Sequence, residues 1–389
     1  MIYIITTELF PNGLAATQRI KCYAKGLTER GYSCMVLCLN RCESSSNHMG
    51  NINPQGEIDG YSYRYMGGST IIKDGYLMKH LNRIMDTLRF IMFSLFIFKR
   101  NDIILLYSYS PLLLKLIVFL SRVKRINVYY ELNEHPSIHM PGFEIDEDST
   151  TDLKKLYKRF HSLTGILCIS TSLKDLLIKC GIPARRLHIV NMLVDSSRFE
   201  GLRKQPEEPY IAYCGAADNN KDGVNQLIEA FARINPKYPR HYLYIIGPKR
   251  SDCDNEALAK KLGVEKRVKF TGMISSDRLP QMLVNANVLA LARPQSRQAK
   301  YGFPTKLGEY LLTGNPVVVT SVGDIPLFLE NEVSAYLVKP DCINGFADQL
   351  EKSLSDSKAI QIGENGRKIA KQYFSNDKVI SQLLEALSI

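Results

Sequence analysis

Lys306 and Glu309 stand three residues apart in RQAKYGFPTKLGEYLLTGNPVVVTS, residues 297–321. Pro304 suits helix entry, and Thr305 and Lys306 follow it in the first turn. A cation at a helix N-terminus opposes the helix dipole, so Lys306 asks for an anion beside it. Glu309 falls one turn later, on or near the same face. A carboxylate there accepts both hydroxyls of a ribose. The plainer alternative is an i,i+3 ion pair between the two, worth about 0.5 kcal/mol on a surface.

Four other stretches carry polar groups where chemistry is done. CGAADNNKDG, residues 214–223, holds Gly215, Asn219, Asn220 and Lys221. Lys221 reads as standing just ahead of a helix start, where a diphosphate would supply the missing anion; a solvated lysine competes with that reading. ARPQSRQAK, residues 292–300, sets Arg293 just past the apolar run VLALA, and a forked guanidinium suits phosphate oxygens. Arg297 and Lys300 fit a solvated basic loop better than Arg293 does. YYELNEHP, residues 129–136, closes a strand with Glu131, Asn133, Glu134 and His135. Glu131 and His135 are candidate acid–base groups; a capping or surface histidine is the alternative. FPNGLAATQR, residues 10–19, offers one glycine, Gly13, ahead of a helix. It is neither a dinucleotide nor a P-loop fingerprint, and taken alone it reads as a strand-to-helix turn.

The elements that position these groups alternate in a β-α rhythm. Apolar runs such as IYIIT, DIILLYS and GILCIS in the first half, and YIAYCG, HYLYIIG and PVVVT in the second, are each followed by helical periodicity. That rhythm implies parallel sheets covered by helices. It pauses at EGLRKQPEEP, residues 200–209, which is charged, carries two prolines and reads as a linker. Two doubly wound domains follow from this, with ligands expected at the carboxyl ends of the strands and in the cleft between the domains.

Of the 389 residues 45% are hydrophobic, and net charge is +11. Residues 1–200 hold 25 Lys/Arg against 18 Asp/Glu, so most of the excess lies in the first half. Nucleic acid, an anionic membrane or a phosphorylated substrate all suit such a surface. No groove motif of interleaved aromatic and basic residues supports nucleic acid. The stretch LMKHLNRIMDTLRFIMFSLFIFKR is apolar at helical spacing and flanked by Lys79, Arg83, Arg89, Lys99 and Arg100, with Arg122, Lys124 and Arg125 further on. It resembles a basic amphipathic segment on an anionic membrane, and a core helix with solvated ends is the alternative. Its longest apolar run, residues 90–98, is far short of the ~20 residues a spanning helix needs. The N-terminus lacks the pattern of a signal peptide, so a cytoplasmic protein, peripheral on the inner membrane face, is expected. The nine cysteines show no CxxC and no zinc spacing, so no metal site is expected.

With both halves in view, the chain resembles glycosyltransferase family 4, of the GT-B fold. YCGAADNNKDGVNQLIEAF, RVKFTGMISSDRLPQMLVNANVLAL and GFPTKLGEYLLTGNPVVVTSVGDIP carry the likeness in the second half, and GIPARRLHIVNMLVDSSRF at the passage between the halves. The resemblance implies two Rossmann-like domains facing each other across a cleft: an acceptor domain over 1–200, a nucleotide-sugar domain over 201–370, and a segment 371–389 returning to the first domain. It implies that Lys221 binds the donor diphosphate, that Glu309 holds the ribose, that the backbone at Met273 contacts the base, and that Gly13 lies near the phosphates and sugar. Tyr301 stands where the family places the first of two glutamates, and the usual cation near Lys221 is replaced by Asn219 and Asn220. Lys306 and Arg293 are candidates to restore that charge.

The expected donor set is therefore Gly13, Gly215, Asn220, Lys221, Met273, Arg293, Pro304, Thr305, Lys306 and Glu309, with Lys221, Lys306, His135 and Glu131 as catalytic candidates. The expected activity is retaining sugar transfer, without cofactor or metal, from a nucleotide sugar to a saccharide or lipid-linked acceptor in surface polysaccharide assembly. A nucleotide-sugar 2-epimerase of the same fold and a two-lobed binding protein are the alternatives.

Overall fold

The computed structural model describes residues 1–44, 50–72, 75–107, 110–139, 146, 149–205 and 208–389. The chain divides into two compact units, Met1–Val190 with Val379–Ile389, and Asn191–Lys378.

The first unit is built on an eight-stranded sheet. Its strands are β1 (Ile2–Thr6), β2 (Cys34–Cys38), β3 (Gln55–Ile58), β4 (Tyr61–Tyr65), β5 (Ile103–Tyr107), β6 (Asn127–Leu132), β7 (Gly165–Cys168) and β8 (Leu187–Ile189). They lie in the order β3-β4-β2-β1-β5-β6-β7-β8. All pairings are parallel except β3 with β4. Strands buried on both faces need unbroken apolar runs, which is why IYIIT and IILLY read as they do. The β3–β4 hairpin turns on Asp59 and Gly60, with φ of 46° and 82°. Two consecutive left-handed residues make the tight turn whose twist suits a hairpin. Strand order reverses between β1 and β5, so the loop after β1, which carries Gly13, lies at the switch point.

The second unit holds a six-stranded, all-parallel sheet. Its strands are β9 (Tyr210–Cys214), β10 (Tyr242–Ile246), β11 (Val268–Gly272), β12 (Val288–Leu291), β13 (Val317–Thr320) and β14 (Tyr336–Val338). Their order is β11-β10-β9-β12-β13-β14. The switch point falls between β9 and β12, and the loops leaving these two strands carry Gly215 and Arg293. Those are the positions where open α/β sheets bind ligands.

The break between the units falls at 190/191 rather than at 200/201. The segment before the charged stretch packs on the second unit: the Val194 amide donates to the Phe374 carbonyl at 2.9 Å. The charged stretch does so too, for the Gln205 amide donates to Asn285 Oδ1 at 2.9 Å and Lys204 Nζ to the Ala286 carbonyl at 3.0 Å. At the other end, Gly26 lies against Ile380, and Tyr129 donates to the Leu387 carbonyl at 3.3 Å, which ties the last helical residues to the first unit.

Candidate functional site

The helix Thr305–Leu312 begins where the sequence places it, with Pro304 at its N-cap and no side chain capping it. Lys306 sits in its first turn but does not pair with Glu309. Its Nζ instead reaches Asp222, which ends the helical turn Asn219–Asp222 after β9. It also donates to the Tyr213 hydroxyl at 3.0 Å and lies 4.6 Å from the centre of that ring. Tyr213 Oη is 2.8 Å from Asp222 Oδ2 and 2.6 Å from the Ala216 carbonyl. Lys306 is thus anchored at the switch point by a carboxylate and a phenol. Gly215 makes room for it: a Cβ there would stand 2.3 Å from Lys306 Nζ, and its φ of 146° is one that side chains rarely adopt.

Arg293 joins the same cluster from β12's loop. It is 2% exposed, with Nε 3.8 Å from Asp222 Oδ1 and 3.3 Å from the Lys221 carbonyl. The guanidinium that the sequence offered to a phosphate is buried beside Asp222, with Nη2 also donating to the Gln298 carbonyl at 3.4 Å. Burial pushes the Asp222 carboxyl up, yet Lys306 and Arg293 outweigh it and leave it below the ordinary carboxylate range. A lowered folded-state value gives stability that is present above the unfolded value near pH ~4 and lost as pH falls through the lowered one. Asp222→Asn should therefore be less stable than the wild type at neutral pH, with the gap closing as acid protonates Asp222. Urea melts of both proteins at pH 7 and at pH 3 check this.

Lys221 lies within the helical turn rather than ahead of it, and Asp218 is the N-cap. Asp218 Oδ1 accepts from the Asn220 and Lys221 amides at 2.8 and 2.9 Å. An acid therefore answers the dipole where the sequence reading asked for a diphosphate. Lys221 remains half-buried and Asn220 exposed. Glu309 is half-buried and paired with Arg198, whose Nη2 also donates to the Ser276 carbonyl at 3.2 Å. Burial raises the Glu309 carboxyl, Arg198 and Lys306 oppose it, and it stays above its ordinary value. Met273 follows β11 and is 61% exposed. Tyr301 is buried and ends the short helix Arg297–Tyr301, so no carboxylate stands at that position.

Gly215, Asn220, Lys221, Arg293, Pro304, Thr305, Lys306 and Glu309 all come from β9 and β12 loops or the helix that follows, within one unit. Tyr213, Asp218, Asp222 and Arg198 were missed. Asp222 was the most readable of these, since it directly follows Lys221 in KDG.

Gly13, Glu131 and His135 belong to the first unit. A Cβ at Gly13 would stand 2.1 Å from Thr17 Oγ1, and that hydroxyl donates to the Leu9 carbonyl at 2.6 Å, so the glycine lets the turn close on the helix Ala15–Glu29. Glu131 is not an open carboxylate. It is 2% exposed, accepts from Arg19 Nε at 2.8 Å and faces the Tyr23 hydroxyl at 3.2 Å. Burial pulls the Arg19 guanidinium down, and Glu131 more than reverses this. His135 is buried, with Nδ1 2.6 Å from Ser137 Oγ and accepting from the Ser137 amide at 3.3 Å. It caps the turn Pro136–His139.

The basic apolar segment forms the helix Tyr76–Ile97. Leu81, Ile84, Leu88, Met92 and Phe96 are exposed on it, the last at 75%, so it is not the core helix that its apolar content also allowed. Lys79, Arg83 and Arg89 on the helix, and Lys99 and Arg100 after it, are exposed as well, with Arg89 donating to the Gly67 carbonyl at 2.5 Å. Among the described residues, no helix is long and apolar enough to cross a membrane.

Residues 208–356 match the family model described as glycosyl transferases group 1. The matched residues lie within the second unit. The Lys306 cluster and Glu309 lie within the matched residues. Among curated relatives, an MMP α-(1→4)-mannosyltransferase of Mycolicibacterium hassiacum is 26% identical over 55% of this chain and 51% of its own. The putative colanic acid biosynthesis glycosyltransferase WcaL of Escherichia coli K12 is 25% identical over 64% of this chain and 62% of its own. The chain spans less than two thirds of the length of these curated relatives, 51% and 40% for two of them. In overall fold, the crystal structure of Anabaena HepE in complex with UDP is similar over 100% of this chain and 99% of that one, with a TM-score of 0.70 at 18% identity. The expected α/β architecture, GT-B with two Rossmann-like domains, is the one observed.

Proposed function

We propose that the protein moves a sugar from a nucleoside-diphosphate sugar to a saccharide acceptor, with retention of anomeric configuration, in surface polysaccharide assembly. The observation that carries this reading is Lys306, placed in the uncapped first turn of Thr305–Leu312 beside the switch point of the glycosyl transferase domain. Breaking the glycosidic bond leaves negative charge on the diphosphate. A fixed ammonium and helix N-terminal amides stabilise that charge as it develops, because they are already oriented for it. The cation comes from the chain itself, so the reading asks for no metal. Glu309, one turn on, accepts the ribose hydroxyls, and Arg198 pairs with that carboxylate and opposes the upward push of burial until they arrive. UDP is the natural first probe, since HepE was solved with it.

A thermal-shift screen of nucleotide sugars, followed by assay of nucleotide release with added saccharides, tests the reading. A ligand at 100 times its dissociation constant adds about 2.7 kcal/mol of stability. One nucleotide sugar that both stabilises the protein and is turned over is the expected result; stabilisation by none would remove the support. Glu309→Ala should weaken UDP binding about tenfold to a hundredfold, the worth of hydrogen bonds to a charged group. Calorimetry checks it, and unchanged affinity would take Glu309 out of the site.

The first unit supplies the acceptor side in this proposal, and the exposed Tyr76–Ile97 helix brings it to an anionic membrane where a lipid-linked saccharide would be met. Flotation with anionic vesicles at low salt, lost on reversing the charge of Arg83 and Lys99, is the expected behaviour.

A further inference from the structure

A second basic, apolar feature of the first unit lies between the helices Pro111–Lys124 and Thr150–Phe160. A cavity of about 240 Å³ opens there, with Leu114 and Val118 on one side and Lys115, Lys155, Lys158 and Arg159 around it. Lys155 is paired with Asp152 at 2.6 Å. Among the described residues, no carboxylate pairs with Lys115 or Lys158. Lys155 and Arg159 stand one turn apart on the Thr150–Phe160 helix, and Lys158 adjoins them, so one helix face carries the charge.

The neighbouring helix offers the opposite chemistry. Leu112, Phe119 and Val123 are 74%, 63% and 60% exposed. Their spacing of seven and four residues puts them in one stripe, with Lys115 in the same row. An apolar stripe that large, left in water beside Lys115 and Lys158, marks a binding surface more than a solvated one. The arrangement fits neither an inorganic anion, which has no use for Phe119, nor a neutral apolar ligand, which has no use for Lys115 and Lys158.

We infer that this groove and the stripe beside it bind a lipid phosphate, with the phosphate at Lys115 and Lys158 and the hydrocarbon chain leaving the groove along Leu112, Phe119 and Val123. The inference rests on the reading of the first unit as the acceptor side, and it names residues apart from the Tyr76–Ile97 helix. Ammonium and guanidinium groups hold phosphate oxygens through charge-assisted hydrogen bonds. The chain contributes buried apolar area in proportion to its length.

The test titrates the full chain with dodecyl phosphate below its micelle concentration, with inorganic phosphate and dodecyl maltoside as the other arms. Saturable binding of dodecyl phosphate alone is expected, weakened at least tenfold in Lys115→Glu/Lys158→Glu and severalfold in Phe119→Ser. All three positions are exposed, so folding is preserved, and the thermal midpoint verifies it. Equal binding of inorganic phosphate, equal binding of the maltoside, or unchanged binding in the double variant would each overturn the inference. UDP affinity is measured on the same samples. It should be the same in wild type and variants, and its absence from the wild type would count against the transferase reading rather than against the groove.

Discussion

Lys306→Met is expected to lower sugar transfer by about 10²–10³-fold, the cost of removing one preorganised group from a charge that develops in the transition state. The expectation follows from position. The ammonium is held by Asp222 and by the Tyr213 hydroxyl at 3.0 Å, so it has little freedom to lose when the diphosphate forms. Methionine keeps most of the length of the stem but strands Asp222 in the interior with Arg293 as its remaining cation, which costs stability as well. The double variant Asp222→Asn/Lys306→Met separates the two effects. Its stability should recover much of the loss while transfer stays low. Recovery of transfer in the double variant would show that Lys306 serves the fold and not the reaction.

Glu131→Ala is expected to destabilise the first unit by about 3–5 kcal/mol, because it leaves the Arg19 guanidinium buried without its partner. Arg19 is 4% exposed; besides Glu131 at 2.8 Å it donates to the Val190 carbonyl at 3.0 Å. Replacing both residues by apolar ones of similar volume, Arg19→Met/Glu131→Leu, should cost far less than either single loss, since the desolvation penalty of both charges disappears with them. Denaturant melts followed by circular dichroism measure this. A catalytic Glu131 would behave in the opposite way: the alanine variant would keep its stability and lose its activity. UDP affinity should be unchanged in Glu131→Ala, as the nucleotide is assigned to the other unit.

Local signals were readable from the sequence, and long-range partners were not. The β-α rhythm, the helix start at Pro304 and the position of Lys306 in its first turn all depend on neighbours within a few residues. The partner of Lys306 does not: Asp222 is 84 residues away, and spacing alone pointed to Glu309 instead. Glu309 finds Arg198 across 111 residues, and Glu131 finds Arg19 across 112. Each of these pairs forms because parallel strands bring distant loops or helices together, which no window of sequence contains. The β3–β4 hairpin is a different kind of miss. Asp59-Gly60 ahead of a run with tyrosines at alternate positions is a hairpin signal, and a β-α rhythm of parallel strands does not contain it. The helix Tyr76–Ile97 was ambiguous for a physical reason. Apolar residues are distributed around much of it, so composition could not tell a buried helix from one lying on a surface, and only the exposure of Phe96 and its neighbours separates the two.

The most direct measurement is a calorimetric titration of the full chain with UDP, repeated on Lys306→Met. If Lys306 faces the donor diphosphate, UDP saturates one site in the wild type, and the substitution weakens it more than tenfold while leaving uridine, which has no phosphate, bound as before. Equal UDP affinity in the two proteins would contradict the account.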